Sequence, residues 1–394
     1  MLKPSHTNPI SATLAGLYQR IAGKRSAGNR IPGVRALRRL GLAEESALGA
    51  TPAEPEFAEL TTRMRCALRA QGGVTSDTPE MADLPGFSGR CLVTGATSGL
   101  GQAVAVQLAE AGASLDLPTR GARIPEDLAK SFRSRRAVDS VGDSVGHSRE
   151  RLEVFPVDFA NLPTLAPVVK QLEPESLGLV VLNAGLMTRV ARPTDQGLES
   201  MFGVNYLATF AFMRQLLGAR RLLPSAQTRV VVVSSEAHRS AAALEIERLG
   251  AWVDFGAFTG MRQYAHSKLL LCTFAAELAR LLNPEAVSVW ALCPGPVNSR
   301  IAREAPRLVR PALDLVMRLG FRSPSDAARP VVALGTAPEF AGETGRYFHV
   351  EECKPMSELA EDPATGRALW QATEELLAKL GHPVPPIDPL YLRS

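Results

Sequence analysis

Short apolar runs alternate with amphipathic patterns along the chain from residue 87 onward. The runs are RCLVTG, LEVFPVDF, LGLVVLNAG, RVVVVSS and VSVWALCPG, and each meets a glycine, serine or aspartate at or near its end. Continuous apolar strands separated by amphipathic helices are typical of a parallel sheet that helices cover on both faces. The pattern therefore predicts an α/β fold with a doubly wound parallel sheet of Rossmann-like type. Ligands of such sheets bind beyond the carboxyl ends of the strands.

The beginning of the chain follows a different pattern. Proline, glycine, serine and alanine are frequent there, and two short basic amphipathic stretches cover residues 10–21 and 34–40. We expect residues 1–85 to form a basic, partly disordered or helical extension, followed by a single domain at residues 86–385. Arginine-rich, acid-poor beginnings are also typical of mitochondrial transit peptides. A mitochondrial location is therefore the alternative to a cytoplasmic one.

Composition narrows the function classes. The 394 residues carry a formal net charge of +4, which is too small to indicate a nucleic-acid partner. Five scattered cysteines without a CxxC pair favour a reducing, intracellular compartment. No apolar stretch reaches the roughly 18 to 20 residues that a transmembrane helix needs, so we expect a soluble protein. His238, His266 and His349 are too dispersed for a metal site, and we expect none.

A glycine-rich turn follows the first apolar run. In LVTGATSGLGQAVAVQLAEAGA the glycines follow the spacing GxxxGxG between a strand and a helix. Such a turn lets the backbone approach a pyrophosphate at the positive end of the helix. The alternative is a purely structural turn. The candidate cofactor residues here are Gly95, Thr97, Ser98, Gly99, Leu100 and Gly101.

The next strand, ASLDLPTRG, bears on the choice of cofactor. A cofactor with a free 2′-hydroxyl usually meets an acid at this strand end, whereas a 2′-phosphate needs a cation. Arg120 stands at the end, and Asp116 lies in the middle of the strand. This arrangement favours NADP over NAD, although Arg120 could also be an ordinary solvated side chain.

The stretch RQYAHSKLLL places Tyr264 and Lys268 four residues apart, which puts them on one face of a helix. A free tyrosine has a pKa near 10, and a neighbouring ammonium group lowers it toward neutral pH. The pair could therefore exchange protons with a substrate oxygen. Taken alone, it could equally be two surface residues.

TGATSGLG, NAG at residues 183–185 and Tyr264-x-x-x-Lys268 occur in an order that resembles the short-chain dehydrogenase/reductase family. The match is closer to its retinol dehydrogenase-like branch, because YAHSKLLLCTFAAELARLL and SPSDAARPVVALGTAPEFAGETGRYF resemble segments of that branch. The resemblance covers residues 87–381. It implies a catalytic domain that binds NAD(P).

The resemblance also implies roles for single residues. Tyr264 would be the proton donor or acceptor, and Lys268 would hold the nicotinamide ribose and lower the pKa of the tyrosine. Ser235, rather than Ser234, would polarise the carbonyl, and Asn205 would support a proton relay to the lysine. Asp158 would bind the adenine amino group. The remaining implied cofactor contacts are Asn183, Ala184, Gly185, Pro294, Gly295 and Val297.

The leading hypothesis is an NADP-dependent oxidoreductase that interconverts a carbonyl and an alcohol on a lipophilic small molecule. Substrate contacts are expected from residues 236–263 and 299–322. The alternatives are a reductase of an activated carbon–carbon double bond and a nucleotide-sensing interaction protein without turnover. Family members often form dimers through the helix of Tyr264, so a homodimer is a further expectation.

Overall fold

A computed structural model describes residues 55–72, 89–121, 124–132, 151–256, 259–297 and 321–393. All of them belong to one compact unit, Ala53–Ser394. Most of the predicted extension, together with residues 257–258 and 299–320 of the predicted substrate segments, lies outside the described residues. The predicted boundaries of extension and domain stay a prediction.

One sheet of eight strands organises the described part of the chain, in the order β3-β2-β1-β4-β5-β6-β7-β8. Every neighbouring pair is parallel except β7 and β8, which are antiparallel. The strands are β1 (Arg90–Val93), β2 (Ser114–Thr119), β3 (Leu152–Pro156), β4 (Leu179–Leu182), β5 (Arg229–Val233), β6 (Ser288–Cys293), β7 (Arg346–His349) and β8 (Glu352–Lys354). The predicted α/β fold with its doubly wound sheet is confirmed.

The central strands are buried on both faces, which explains why they read as continuous apolar runs. In β1, Leu92 points into one core cluster, whereas its neighbours Cys91 and Val93 point into the other. Strand β4 alternates in the same way, with Val180 on the first side and Val181 on the second. The period of two along each strand therefore divides one apolar run between two helix layers.

Helices cover both faces of the sheet. One layer contains α3 (Leu165–Gln171), α4 (Ala208–Gly218), α5 (Gly260–Leu281) and α8 (Pro363–Lys379), and the other contains α1 (Pro55–Gly72), α2 (Gly99–Glu110) and α6 (Pro324–Thr336). A short helix, α7 (Glu358–Glu361), precedes α8. A π-helix, Met201–Leu207, runs directly into α4. A further helical stretch begins at residue 126.

Helix α1 belongs to the segment that the sequence assigns to the extension, and it packs on the outermost strand. Leu60 and Met64 are buried in the same core cluster as Cys353 of β8. The Cys353 amide donates a hydrogen bond to the Thr61 hydroxyl over 2.9 Å. This part of the chain is therefore integral to the sheet's edge.

The strand order places the site. β1 lies between β2 and β4, so the chain winds outward in two directions from this point. A crevice opens beyond the carboxyl ends of the strands where such a sheet reverses its winding. The glycine turn follows β1 and Asn183 follows β4, so both lie at this crevice.

Candidate active site

The glycine turn after β1 packs directly against the end of β4. Gly95 and Gly99 have φ values of +70° and +58°, which a residue with a side chain rarely adopts. A Cβ on Gly101 would lie 2.4 Å from both Asn183 Nδ2 and the Gly95 carbonyl oxygen. Helix α2 can therefore begin this close to the strand ends only because position 101 carries no side chain.

The end of β4 is tied to the turn through Thr94. The Thr94 hydroxyl accepts hydrogen bonds from the amides of Asn183 and Ala184, both over 2.9 Å. The Asn183 side chain in turn donates to the Thr94 carbonyl over 2.9 Å. These bonds hold the glycine turn and the segment Asn183–Gly185 as one unit.

The N-terminus of α2 suits an anion. Ser98 occupies the N-cap position with extended backbone, and its side chain makes no capping hydrogen bond there. The first turn carries no acidic residue. Its amide groups and the positive end of the helix dipole therefore suit a pyrophosphate. Thr97 is exposed beside them, and Leu100 is half-buried.

The exposed Arg120 directly follows β2, which ends at Thr119. Asp116, in mid-strand, is buried and receives hydrogen bonds from Arg90 Nε and Nη2 over 2.7 and 3.1 Å. Burial raises the pKa of Asp116, although the bonds from Arg90 oppose that effect. Asp116 is therefore a structural partner of Arg90, and the side chain at the strand end is cationic.

Asp158 follows β3 and is half-buried. Its Oδ1 accepts a hydrogen bond from the Ala160 amide over 3.0 Å, and its own amide donates to the Thr164 hydroxyl over 3.0 Å. The turn thus fixes the carboxylate beyond the carboxyl end of β3. The predicted contact with an adenine amino group stays a prediction.

Asn205 lies fully buried in the π-helix before α4. Its Oδ1 accepts from the Leu186 amide over 2.8 Å, and its Nδ2 donates to the Leu186 carbonyl and to the Ser267 hydroxyl over 2.9 and 3.0 Å. Both hydrogens of the side-chain amide are used by these two bonds. The Asn205 side chain thus clamps the segment after β4 to helix α5. π-helical turns are frequent at functional sites because they displace one residue from the regular pattern.

The two serines after β5 have different surroundings. The Ser234 hydroxyl is buried and lies 2.9 Å from Cys272 Sγ and 3.4 Å from the Lys268 carbonyl, both on helix α5. The Ser235 side chain is half-buried and accepts a hydrogen bond from the Ala237 amide over 3.2 Å. This difference favours Ser235 as the serine that can reach a substrate.

Tyr264 and Lys268 share one face of α5, as the spacing predicts. Lys268 Nζ lies 5.7 Å from the centroid of the Tyr264 ring and donates to the Val233 carbonyl at the end of β5 over 3.0 Å. Lys268 is only 6% exposed, and this burial lowers its pKa to about 8. Because this pKa lies above 7, the protonated ammonium is still the favoured form at neutral pH. The ammonium thus lies beside the phenol, and it bonds to the carbonyl of Val233, two positions before Ser235.

The loop after β6 completes the crevice. Gly295 has a φ of +76°, and a Cβ there would lie 3.1 Å from the Val350 side chain. Val297 forms a parallel bridge with Arg322. Pro294 is buried at the start of this loop. The loop and the glycine turn therefore both lie at the carboxyl ends of the parallel strands.

Comparisons with known proteins agree with this geometry. Residues 90–246 match the model of the short chain dehydrogenase family. Retinol dehydrogenase 14 of Homo sapiens is 33% identical over 298 residues, which cover 73% of this chain and 86% of that protein. The chain belongs to the short-chain dehydrogenase/reductase family. Its sequence relatives place it in the retinol dehydrogenase-like branch.

Two further proteins illustrate the range of relatives. Polyprenol dehydrogenase of Mus musculus is 31% identical over 295 residues, which cover 73% of this chain and 83% of that protein. The solved structure of an uncharacterized protein from Mycobacterium paratuberculosis has a TM-score of 0.54 and 23% identity. It covers 78% of this chain and 99% of that one. The latter likeness supports the fold alone.

Membership of this dehydrogenase family makes the chain an oxidoreductase that uses NAD(P). The residues present fit such a cofactor, since the α2 N-terminus is uncapped by Ser98 and the glycine turn lets the backbone approach closely. Within the described residues, no helix combines the length and apolar character that a membrane crossing requires. The same residues contain no cluster of His, Cys, Asp or Glu side chains that could hold a metal ion.

Sequence reasoning on this dehydrogenase missed two residues beside the site. Ser267 links Asn205 to helix α5, because its hydroxyl donates to the Tyr264 carbonyl over 2.8 Å and accepts from Asn205 Nδ2. His238 contacts the Ser235 carbonyl. The short spacing of Ser235 and His238 in SSEAH was the only available signal for the latter.

Proposed function

We propose that the chain is an NADP-dependent oxidoreductase that interconverts a carbonyl and an alcohol on a lipophilic small molecule, with Tyr264 as the acid or base. One observation carries the proposal. The buried Lys268 ammonium lies near the Tyr264 ring and donates to the carbonyl of Val233, which ends β5 two positions before Ser235. Because burying a cation costs free energy, a buried ammonium beside a tyrosine ring favours a functional role for the pair.

The bound nicotinamide would donate or accept the hydride. In the proposed mechanism Tyr264 donates a proton to the substrate oxygen during reduction, or accepts it during oxidation. The Lys268 charge favours the phenolate and so brings the tyrosine closer to the working pH. The Ser235 hydroxyl donates a hydrogen bond to the carbonyl oxygen and stabilises the negative charge that develops there.

Asn205 supports this arrangement through its clamp on Leu186 and Ser267. Because its side-chain amide is fully used, we assign it the positioning of helix α5 against the segment after β4. In this proposal a proton relay to Lys268 would not use the side-chain hydrogens of Asn205.

The substrate class rests on the loop before α5. Trp252 and Val253 are 46% and 41% exposed there, and the loop is tied to residue 191 by the hydrogen bond from the Ala191 amide to the Phe255 carbonyl. Exposed large apolar side chains in the loop that leads into the helix of Tyr264 favour an apolar ligand. The named substrates of the relatives, retinol and polyprenol, are consistent with this proposal. A cytoplasmic location and a homodimer stay predictions.

The mechanism is tested with Tyr264→Phe. We expect this variant to bind NADPH normally and to lose about 10²- to 10⁴-fold in kcat toward a panel of lipophilic aldehydes and ketones. Ser235→Ala should lose about 10²-fold or more, whereas Ser234→Ala serves as the matched control and should retain turnover. Full activity of Tyr264→Phe would refute the mechanism. Activity on activated alkenes alone would favour the double-bond reductase.

Cofactor choice is tested with Arg120→Ala. A charged hydrogen bond to a phosphate contributes roughly 1.5–3 kcal/mol, so the affinity for NADPH should fall about 10- to 100-fold while the affinity for NADH stays constant. Arg367→Ala on α8 is the matched control, since Arg367 is also exposed. Equal losses for both cofactors would contradict a phosphate contact at Arg120.

A further inference from the structure

His238 is a buried side chain that forms hydrogen bonds with two backbone groups, one in its own turn and one far along the chain. It is 1% exposed and lies in the short 3₁₀ turn Glu236–Ser240, directly after Ser235. One ring nitrogen, Nδ1, lies 2.7 Å from the Ser235 carbonyl oxygen. The other, Nε2, lies 3.1 Å from the Ser357 amide, which precedes α7.

These two partners determine the tautomer. A backbone amide can only donate, so Nε2 must be the unprotonated nitrogen that accepts from Ser357. A carbonyl oxygen can only accept, so Nδ1 must carry the hydrogen and donate to Ser235. His238 is therefore neutral. Burial also lowers its pKa, although the bond to Ser235 opposes this effect.

The surroundings of His238 fix its turn to the β7–β8 hairpin. The His238 ring packs edge-to-face on Tyr347 of β7, with ring centroids 5.2 Å apart. The Tyr347 hydroxyl donates to Glu236 over 2.7 Å. Glu236 also pairs with Lys354 of β8 over 2.9 Å and with Arg239 of its own turn over 3.2 Å. The two cations and the carboxylate thus face the imidazole from both elements.

Hydrogen bonds hold the backbone immediately before and immediately after Ser235. The preceding residue, Ser234, donates its amide hydrogen to the Leu292 carbonyl of β6 over 2.7 Å. The Ser235 carbonyl accepts from the amide and from Nδ1 of His238. With backbone angles of φ −156° and ψ 148°, residue 235 is still extended where the strand gives way to the turn. The imidazole is the side-chain contact that sets the direction of this carbonyl.

We propose that His238 is a positioning residue for Ser235, which it orients by donating from Nδ1 to the serine's own carbonyl. The inference rests on the proposed function, in which the Ser235 hydroxyl contacts the substrate oxygen. His238 acts through Ser235 and does not touch the reacting atoms. A displacement of about 1 Å at a group that contacts the reacting atoms can cost about 10²-fold in rate.

Two substitutions distinguish the hydrogen bond made by Nδ1 from the one made by Nε2. The amide nitrogen of asparagine can take the position of Nδ1, so His238→Asn retains the donor to Ser235 and loses the acceptor for Ser357. The side-chain amide of glutamine reaches as far as Nε2, so His238→Gln can accept from Ser357 and loses the donor to Ser235. Each variant thus removes one buried hydrogen bond, and the two should lose similar thermal stability.

We expect kcat to separate the two variants. His238→Asn should keep kcat within about threefold of the wild type, whereas His238→Gln should lose about 10- to 100-fold with an unchanged Kd for NADPH. In a Ser235→Ala background, His238→Gln should cause no further loss, because the group that it positions is already absent. Equal kcat losses that follow the melting temperatures, or full additivity with Ser235→Ala, would overturn the proposal.

A measurement on the unaltered protein covers the case in which a variant does not fold. Nitrogen-15 NMR of histidine-labelled protein at pH 7 should find His238 protonated at Nδ1 and bare at Nε2. Protonation at Nε2 would overturn the proposal. The failure of the proposed function is separate, since it would appear as retained activity in Tyr264→Phe whatever the His238 variants do.

Discussion

Lys268 offers a test in which stability and activity should change in opposite directions. Its pKa is lowered from 10.5 to about 8 because the buried ammonium loses hydration. The folded state therefore disfavours the charged form by about 3 kcal/mol. Lys268→Met removes this cost in a side chain of similar length. It also removes the bond to the Val233 carbonyl, which contributes about 1 kcal/mol.

The net effect at pH 7 is an expected stabilisation of about 2 kcal/mol, together with loss of turnover. For a protein of 394 residues the melting temperature should rise by about 2–3 °C. The unfolded state binds more protons than the folded state between pH 8 and 10.5, so the stability of the wild type rises with pH across that window. The advantage of Lys268→Met should shrink over the same window.

The assay is thermal unfolding of the cofactor-free protein at pH 7, 8.5 and 10. Lys170→Met is the matched control, because Lys170 is exposed at the end of α3 and its replacement should change stability by less than about 0.5 kcal/mol. A destabilised Lys268→Met at pH 7, or an advantage that does not fall with rising pH, would refute the reasoning about burial.

Three further outcomes are expected. Gly101→Ala should lower the unfolding free energy by about 1–3 kcal/mol and weaken NADPH binding in a fluorescence titration, whereas Gly121→Ala, which meets no atom within 4 Å, should change neither. Asp116→Asn should cost about 1.5–3 kcal/mol in denaturant unfolding, because it weakens the buried hydrogen bonds of Arg90 while the more exposed Glu173 and Glu153 remain beside that guanidinium; a cost below about 1 kcal/mol would contradict the role of this pair. The unfolding free energy should fall as pH drops below about 6.5, because the unfolded state then protonates at His238 while the folded state resists, and His238→Asn should reduce that slope.

The parallel strands at the centre of the sheet could be predicted from the sequence. Strands that are buried on both faces consist of nearly continuous apolar residues, and such runs are easy to recognise. The sequence was less informative at the sheet's edge. β7 and β8 have four and three residues, and they include Arg346, His349 and Lys354. A strand this short with one polar side has too few positions for its period to emerge.

The candidate site divides in the same way. The glycine turn and the pair Tyr264 and Lys268 are local patterns that can be recognised in the sequence. In the structure, the turn follows the carboxyl end of β1, and Lys268 bonds to the carboxyl end of β5. The contacts of Asn205 with Leu186 and of His238 with Ser357 join residues that are 19 and 119 positions apart. The spacing of residues within one segment does not predict such contacts, because they depend on how separate segments pack against one another.

The bond between Thr61 and Cys353 has a consequence for handling the protein. An outermost strand presents unpaired amides that can template pairing with another chain. Here the Thr61 hydroxyl of helix α1 accepts a hydrogen bond from the Cys353 amide of β8. Leu60 and Met64 of the same helix pack in the apolar cluster that contains Cys353. A shortened protein that starts near residue 86 would keep every residue of the proposed active site. It would also expose the unpaired edge of β8 and the apolar surface that α1 covers, and it would be prone to self-association.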